Sequence, residues 1–128
     1  MDNKKSEKIG IGTVRIADEV VGTIAGLAAT EGNGIAGMSG GLVGGIAEML
    51  GKKNFSKGVK VEVGEKEAAV DLYIIVEYGV RIPDIALTVQ EKVKSSIESM
   101  TGLEVVEVNV HVQGVGFVNE EVDDVRVR

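Results

Sequence analysis

Val59-Lys60-Val61-Glu62-Val63, a turn at Gly64-Glu65-Lys66-Glu67, and Val70-Asp71-Leu72-Tyr73-Ile74-Ile75-Val76-Glu77-Tyr78 decide the fold of this chain. In the first stretch Val59, Val61 and Val63 alternate with Lys60 and Glu62, the period of a half-buried strand. In the second, Val70, Leu72, Ile74, Val76 and Tyr78 share one face, opposed by Asp71, Tyr73, Ile75 and Glu77. Two such runs joined by a short polar turn predict a β-hairpin with a long second strand. Each strand has a single apolar stripe, and another layer must bury it.

The chain on either side supplies that layer. Downstream, Pro83 suits the first helical position and Asp84 the first turn. Ile85, Val89, Val93, Ile97 and Met100 recur at helical spacing, and Gly102 stops the helix. Val106, Val108, Val110 and Val112 then alternate with Glu107, Asn109, His111 and Gln113, which predicts a final strand. Upstream, Thr13-Val14-Arg15-Ile16 reads as a short strand. A helix follows over about Asp18 to Glu31, with Ala17, Val20, Val21, Ile24, Leu27 and Ala28 on its apolar side and Gly32 as C-cap. Gly34 to Met38 reads as another short strand. Ser39 caps a second short helix whose buried face is Leu42, Val43, Ile46, Met49 and Leu50. The expected architecture is an α/β fold of the α+β type. It is a single small domain with a mixed sheet of about four strands and about three helices packed mainly on one face. Its bounds are residues 11–117, between a flexible N-terminus over 1–10 and an acidic, flexible tail over 118–128.

Composition narrows the chemistry. A length of 128 residues points to one domain. With two Phe, two Tyr and no Trp, the core must be built from Val, Ile, Leu, Ala and Met. The absence of Cys removes disulfides, thiol nucleophiles and zinc knuckles. A formal charge of −6 repels phosphate backbones and anionic lipid. No run approaches the roughly 20 apolar residues that span a bilayer, and no signal-type stretch follows Met1. The expected location is cytoplasmic.

Several motifs match by letter and fail by context. Gly32-Asn33-Gly34-Ile35-Ala36-Gly37 spells the dinucleotide fingerprint, but a helix precedes it where a strand is needed. Gly37-Met38-Ser39-Gly40-Gly41 spells a nucleophile elbow, with Asp84 and His111 following in serine, acid, base order. The plainer reading is that Ser39 caps a helix and the glycines allow a tight entry. Gly41-Leu42-Val43-Gly44 resembles a backbone-clamping loop, and Lys52, Lys53, Lys57 and Lys60 follow it as a candidate basic patch. The acidic total charge and the scarcity of aromatics weigh against nucleic acid. Gly45 and Gly51-Lys52 fall short of a P-loop. No cofactor or metal site is expected.

A set of segments in fixed order resembles the bacterial alkaline shock protein family, also described as cell envelope stress response proteins. The matching text is Gly12-Thr13-Val14-Arg15-Ile16-Ala17-Asp18-Glu19-Val20-Val21, Met38-Ser39-Gly40-Gly41, and Lys57-Gly58-Val59-Lys60-Val61-Glu62-Val63. It continues with Asp71-Leu72-Tyr73-Ile74-Ile75-Val76-Glu77-Tyr78-Gly79 and Thr101-Gly102-Leu103-Glu104-Val105-Val106-Glu107-Val108-Asn109-Val110-His111-Val112. The resemblance implies a compact α/β domain without known enzymatic activity, linked in Gram-positive bacteria to envelope homeostasis and alkaline stress. It also implies self-association and docking to a membrane-anchored partner.

The expected function is therefore a non-enzymatic protein-interaction module, a homo-oligomer that binds a membrane-anchored or cytosolic protein. A second reading of a different class is a regulatory subunit of a cytosolic enzyme of lipid synthesis. Nucleic-acid binding through the Lys52–Lys60 patch and serine hydrolysis at Ser39 are minor alternatives. The candidate interaction surface combines the glycine-rich segment (Ser39, Gly40, Gly41, Gly44, Lys52, Lys53) with the last strand (Val108, Val110, Val112). The glycines permit close backbone approach, and a strand at a sheet edge invites pairing.

Overall fold

The computed structural model of the chain describes residues 6–39 and 57–117. In chain order the elements are β1 (Ser6–Ile9), β2 (Gly12–Arg15), α1 (Asp18–Thr30), β3 (Ile35–Met38), β4 (Val59–Val63), β5 (Glu67–Glu77), α2 (Ile82–Thr101) and β6 (Glu104–Gly116).

β5 is the middle of a four-stranded mixed sheet. Along one side it pairs antiparallel with β4, from Val63 opposite Ala68 to Val59 opposite Leu72. The same side then pairs with β3, Met38 opposite Ile74 and Ile35 opposite Val76. β3 and β4 thus share one flank of β5 end to end. Tyr73 closes the junction between them: its N–H donates to the Gly58 carbonyl at 2.8 Å, and its carbonyl accepts from the Ser39 N–H at 2.8 Å. Gly58 has φ +78°, and a Cβ there would stand 2.9 Å from the Ser39 carbonyl oxygen, so glycine is required where the two chain ends meet. On its other side β5 pairs parallel with β6, Glu67 opposite Glu104 through Glu77 opposite Gly116. A parallel neighbour needs a crossover, and α2 provides it.

The alternating face of β5 forms the core. Ala68, Val70, Leu72, Ile74 and Val76 are buried and pack with Val21, Ala25 and Ala28 of α1 and Val89, Val93 and Ile97 of α2. Both described helices therefore cover one face of the sheet. α2 begins with Pro83 in its first turn and ends at Gly102, whose φ of +79° makes the left-handed cap.

Several expectations need adjustment. Glu31, in right-handed conformation, caps α1 instead of Gly32, and the left-handed turn comes at Gly34. Val20, Leu27 and Met100 satisfy the helical spacing of the apolar stripes but are exposed. These side chains line a groove of about 590 Å³ along the seam between α1 and α2. Tyr78 lies past the end of β5 and stacks on Phe117 at 5.3 Å. The first strand belongs to a separate hairpin: β2 pairs with β1, which falls within the stretch read as a flexible N-terminus. The short helix read after Ser39 falls outside the described residues, so α1 and α2 are the two helices among them.

Candidate interaction surface

Among the described residues β6 pairs with β5 alone, so its other flank is a sheet edge. Val106 and Gln113 are skipped in the pairing register, which makes each an extra residue on β6 and leaves Glu107 to Val112 regular between two bulges. The first part of the edge is closed by side chains of α2. Glu98 Oε2 accepts from the Val105 N–H at 2.9 Å, and Lys94 Nζ donates to the Val105 carbonyl at 2.9 Å and to Glu98 Oε2 at 2.9 Å. The Val105 N–H, and after it Lys94, holds the Glu98 carboxyl below its ordinary value. Further along, Gln90 Nε2 donates to the Val108 carbonyl at 2.9 Å.

Beyond Val108 no described residue pairs with the edge. Alternate residues of a strand turn their backbone groups to the same side, so an outward Val108 carbonyl implies outward groups at Val110 and Val112. No described residue bonds to these. From Val108 to Phe117 the sequence holds no Asp, Glu, Lys, Arg or Pro, the residue types that blunt exposed edges. Val112, Val115 and Phe117 are exposed beside it. So is Leu87, which precedes Gln90 by three residues and therefore lies on the same side of α2.

The sheet face away from α1 and α2 carries a polar row. The register sets Lys60 opposite Asp71, Asp71 opposite Asn109, and Tyr73 opposite His111. His111 Nε2 stands 3.1 Å from Asp71 Oδ1, and the imidazole stacks on Tyr73 with centroids 4.5 Å apart and planes 12° apart. Lys60 Nζ lies 5.5 Å from the Tyr73 ring centroid on the β4 side. The Asp71 carboxyl is held below its ordinary value by the His111 hydrogen bond first and Asn109 second. A shallow cavity of about 300 Å³, lined by Ser39, Gly58, Lys60, Tyr73 and Gln113, adjoins the row.

These positions decide the motifs. His111 takes Asp71 as its carboxylate, whereas Asp84 pairs with Arg81 at 3.3 Å at the start of α2. The serine, acid, base order of Ser39, Asp84 and His111 is thus not assembled as a relay. Gly32 to Gly37 follows α1 and opens into β3, the reverse of the strand-then-helix context that a dinucleotide loop needs. Lys60 is engaged over Tyr73. Gly40, Gly41, Gly44, Lys52 and Lys53 lie outside the described residues. Val108 and Val110 are half-buried against the core while their backbone faces the edge, and Val112 sits at its exposed margin. The reading from sequence missed two groupings. Asp71, Tyr73 and Lys60 were each placed on outward faces, but only the strand register brings them to His111. Gln90, Lys94 and Glu98 recur every four residues on α2, a visible polar stripe whose target strand was not.

A family model described as the alkaline shock protein 23 family, of cell envelope-related function, matches residues 6–117. The uncharacterized protein YqhY of Bacillus subtilis is 41% identical over 111 residues, covering 87% of this chain and 82% of the relative. The uncharacterized protein YloU of the same organism is 42% identical over 110 residues, covering 84% and 92%. A Streptococcus pyogenes protein named stress response regulator gls24 homolog is 37% identical over 102 residues, 79% of this chain and 57% of its own length. No solved structure matches the chain.

Proposed function

The chain belongs to the alkaline shock protein 23 family, of cell envelope-related function, and from that premise we propose that it acts as a non-enzymatic protein-interaction module. In this reading it serves envelope homeostasis and the envelope stress response by binding copies of itself and a membrane-anchored or cytosolic partner. The observation that carries the reading is the uncharged edge of β6 beyond Val108, which no described residue covers. Backbone donors and acceptors left facing outward take an added strand, with main-chain bonds giving affinity and flanking side chains giving specificity. Val112, Val115, Phe117 and Leu87 supply an apolar flank. The relative named as a stress response regulator supports the link to stress. No helix among the described residues is long and apolar enough to cross a membrane; the reading has the chain reach the inner membrane face through its partner.

Affinity capture tests this, with Val112→Lys run beside the unaltered chain. A lysine on an edge opposes strand addition, and an exposed Val112 makes the substitution tolerable to the core. The expected result is a partner recovered by the unaltered chain and lost by the variant. An integral membrane protein in that position identifies docking at the envelope. A soluble enzyme of lipid synthesis identifies enzyme regulation instead. Turnover of a metabolite that disappears in Ser39→Ala overturns the non-enzymatic reading.

A further inference from the structure

The open edge of β6 is complementary to itself. Its outward backbone groups belong to Val108, Val110 and Val112, and this short run lies between the bulges at Val106 and Gln113 with Val110 at its midpoint. Its sequence, Val108-Asn109-Val110-His111-Val112, places Val at both ends and in the middle and a neutral polar or imidazole group between. Read in either direction the pattern is the same in kind, which is the property that a two-fold interface demands.

We infer that the strand taken up by this edge is β6 of a second copy, laid antiparallel about a two-fold axis at Val110. The inference rests on the interaction-module reading and names its first partner. In that register Val110 faces Val110 of the second copy, Val108 faces Val112, and Asn109 faces His111. Apolar meets apolar on the helix-covered face, polar meets polar on the open face, and no like charges are opposed. In an antiparallel pair the outward residues exchange two N–H···O bonds each. Among the described residues none of the groups this requires has a partner except the Val108 carbonyl, which accepts from Gln90 Nε2 and keeps a second lone pair. The bulges end the pairing on both sides, before it reaches Val105, where Lys94 and Glu98 hold the edge shut. The exposed side chain of Leu87, on the α2 side that faces this edge, lies beside the incoming strand. A second copy meets its own pattern, with no charge between Val108 and Phe117 to repel it.

The chain has no cysteine, so one introduced thiol per copy reports the register without interference. Asn109 and His111 of the second copy would occupy a non-hydrogen-bonded position, with Cα atoms about 4.5 Å apart. That separation falls within the span of a disulfide, about 4.4–6.8 Å. Asn109→Cys and His111→Cys chains, each shown to fold by circular dichroism, are oxidised alone and as a mixture. The expected outcome is a disulfide-linked dimer in the mixture and background levels in either variant alone. Light scattering on the unaltered chain should give twice the monomer mass, falling to one copy in Val112→Lys. If His111→Cys does not fold, Val110→Cys with a short bis-maleimide takes its place and should link to itself. A dimeric mass with equal crosslinking in all three samples, or with none, overturns the β6 register and leaves self-association standing. A monomeric mass without a mixed disulfide overturns the second copy altogether. A captured partner still lost with Val112→Lys would in that case keep the interaction-module reading alive.

Discussion

β5 and β6 lie side by side, with Leu72 opposite Val110 and Ile74 opposite Val112. Leu72 and Ile74 are 0% exposed, whereas Val110 is half-buried and Val112 is 36% exposed. Both strands alternate branched aliphatic and polar residues. Their flanks differ: β5 has β3 and β4 on one side and β6 on the other, beneath two helices, while β6 has β5 and, among the described residues, only the side chains of α2. Alternation tells which residues share a face. The neighbours on either side decide how deeply that face is buried, which is why the same residue contributes differently in a central and an edge strand.

The sharpest way to break that comparison is to truncate one residue on each strand. Leu72→Ala removes a fully buried side chain from the middle of the core, and the expected cost is about 2–5 kcal/mol. Val112→Ala, at the margin, should cost no more than about 0.5 kcal/mol. Urea unfolding with an unchanged m value measures both. Equal costs would mean that the edge of β6 is covered as thoroughly as β5. The other flank of β5 comes next in size. Gly58→Ala forces a side chain into a left-handed conformation against the Ser39 carbonyl, with an expected loss of about 1–3 kcal/mol. Faster amide exchange at Ser39 and Tyr73 should accompany it, because those groups close the junction of β3 and β4. Unchanged exchange there would remove the junction as the cause.

How much of this was legible in the sequence follows from range. Contacts within one element were readable: Val89, Val93 and Ile97 repeat every four residues and are buried, and Gly102 caps α2 as its position suggests. The hairpin of β4 and β5 was readable because a short turn fixes its register. The parallel pairing of β5 with β6 was not, since a twenty-residue helix separates them and nothing local sets the offset. The row of Lys60, Tyr73, His111 and Asp71 depends on that offset, so its members were seen singly as outward-facing residues. The width of the helical stripes also misled. Val20, Leu27 and Met100 satisfy the spacing, but two helices on one narrow sheet leave part of each apolar arc on the groove between them.

The closed and open parts of the β6 edge can be compared in the same way. Glu98→Ala removes the acceptor of the Val105 N–H and the partner of Lys94. Hydrogen exchange at Val105 should rise toward the rate at Val112, which no described group protects, while exchange in β5 stays slow. Acid should do the same to the unaltered chain, because the Glu98 carboxyl is held below its ordinary value by the Val105 N–H first and Lys94 second. Protonation removes the charge that strengthens the bonds from the Val105 N–H and Lys94 as pH falls through that lowered value, and above the ordinary glutamate range the seal is complete. Exchange at Val105 that ignores both the substitution and acid would show that the edge is held by something other than α2.

The smallest effect expected is the one that ties the two strands together on the open face. Asp71 on β5 accepts from His111 on β6, and its carboxyl lies below the ordinary 3.8, with the His111 hydrogen bond the largest cause and Asn109 the next. A lowered folded value means that the unfolded chain binds the proton more readily. The stabilisation is therefore fully present above the ordinary aspartate value and is lost as pH falls through the folded one. Both side chains are about two-fifths exposed, at 42% and 40%, so solvent screening limits the contribution. For such a pair about 0.2–1 kcal/mol is the ordinary range, and the lower end applies here. Asp71→Asn should then trail the unaltered chain by a few tenths of a kcal/mol at neutral pH, roughly the resolution of careful denaturation. The gap should close in acid. Because the pair bridges β5 and β6, the loss should appear also as faster exchange at Asn109 and His111, the residues whose backbone bonds to β5. A gap that stays constant down to strongly acidic pH, or that widens there, would mean that Asp71 acts through its shape and not its charge.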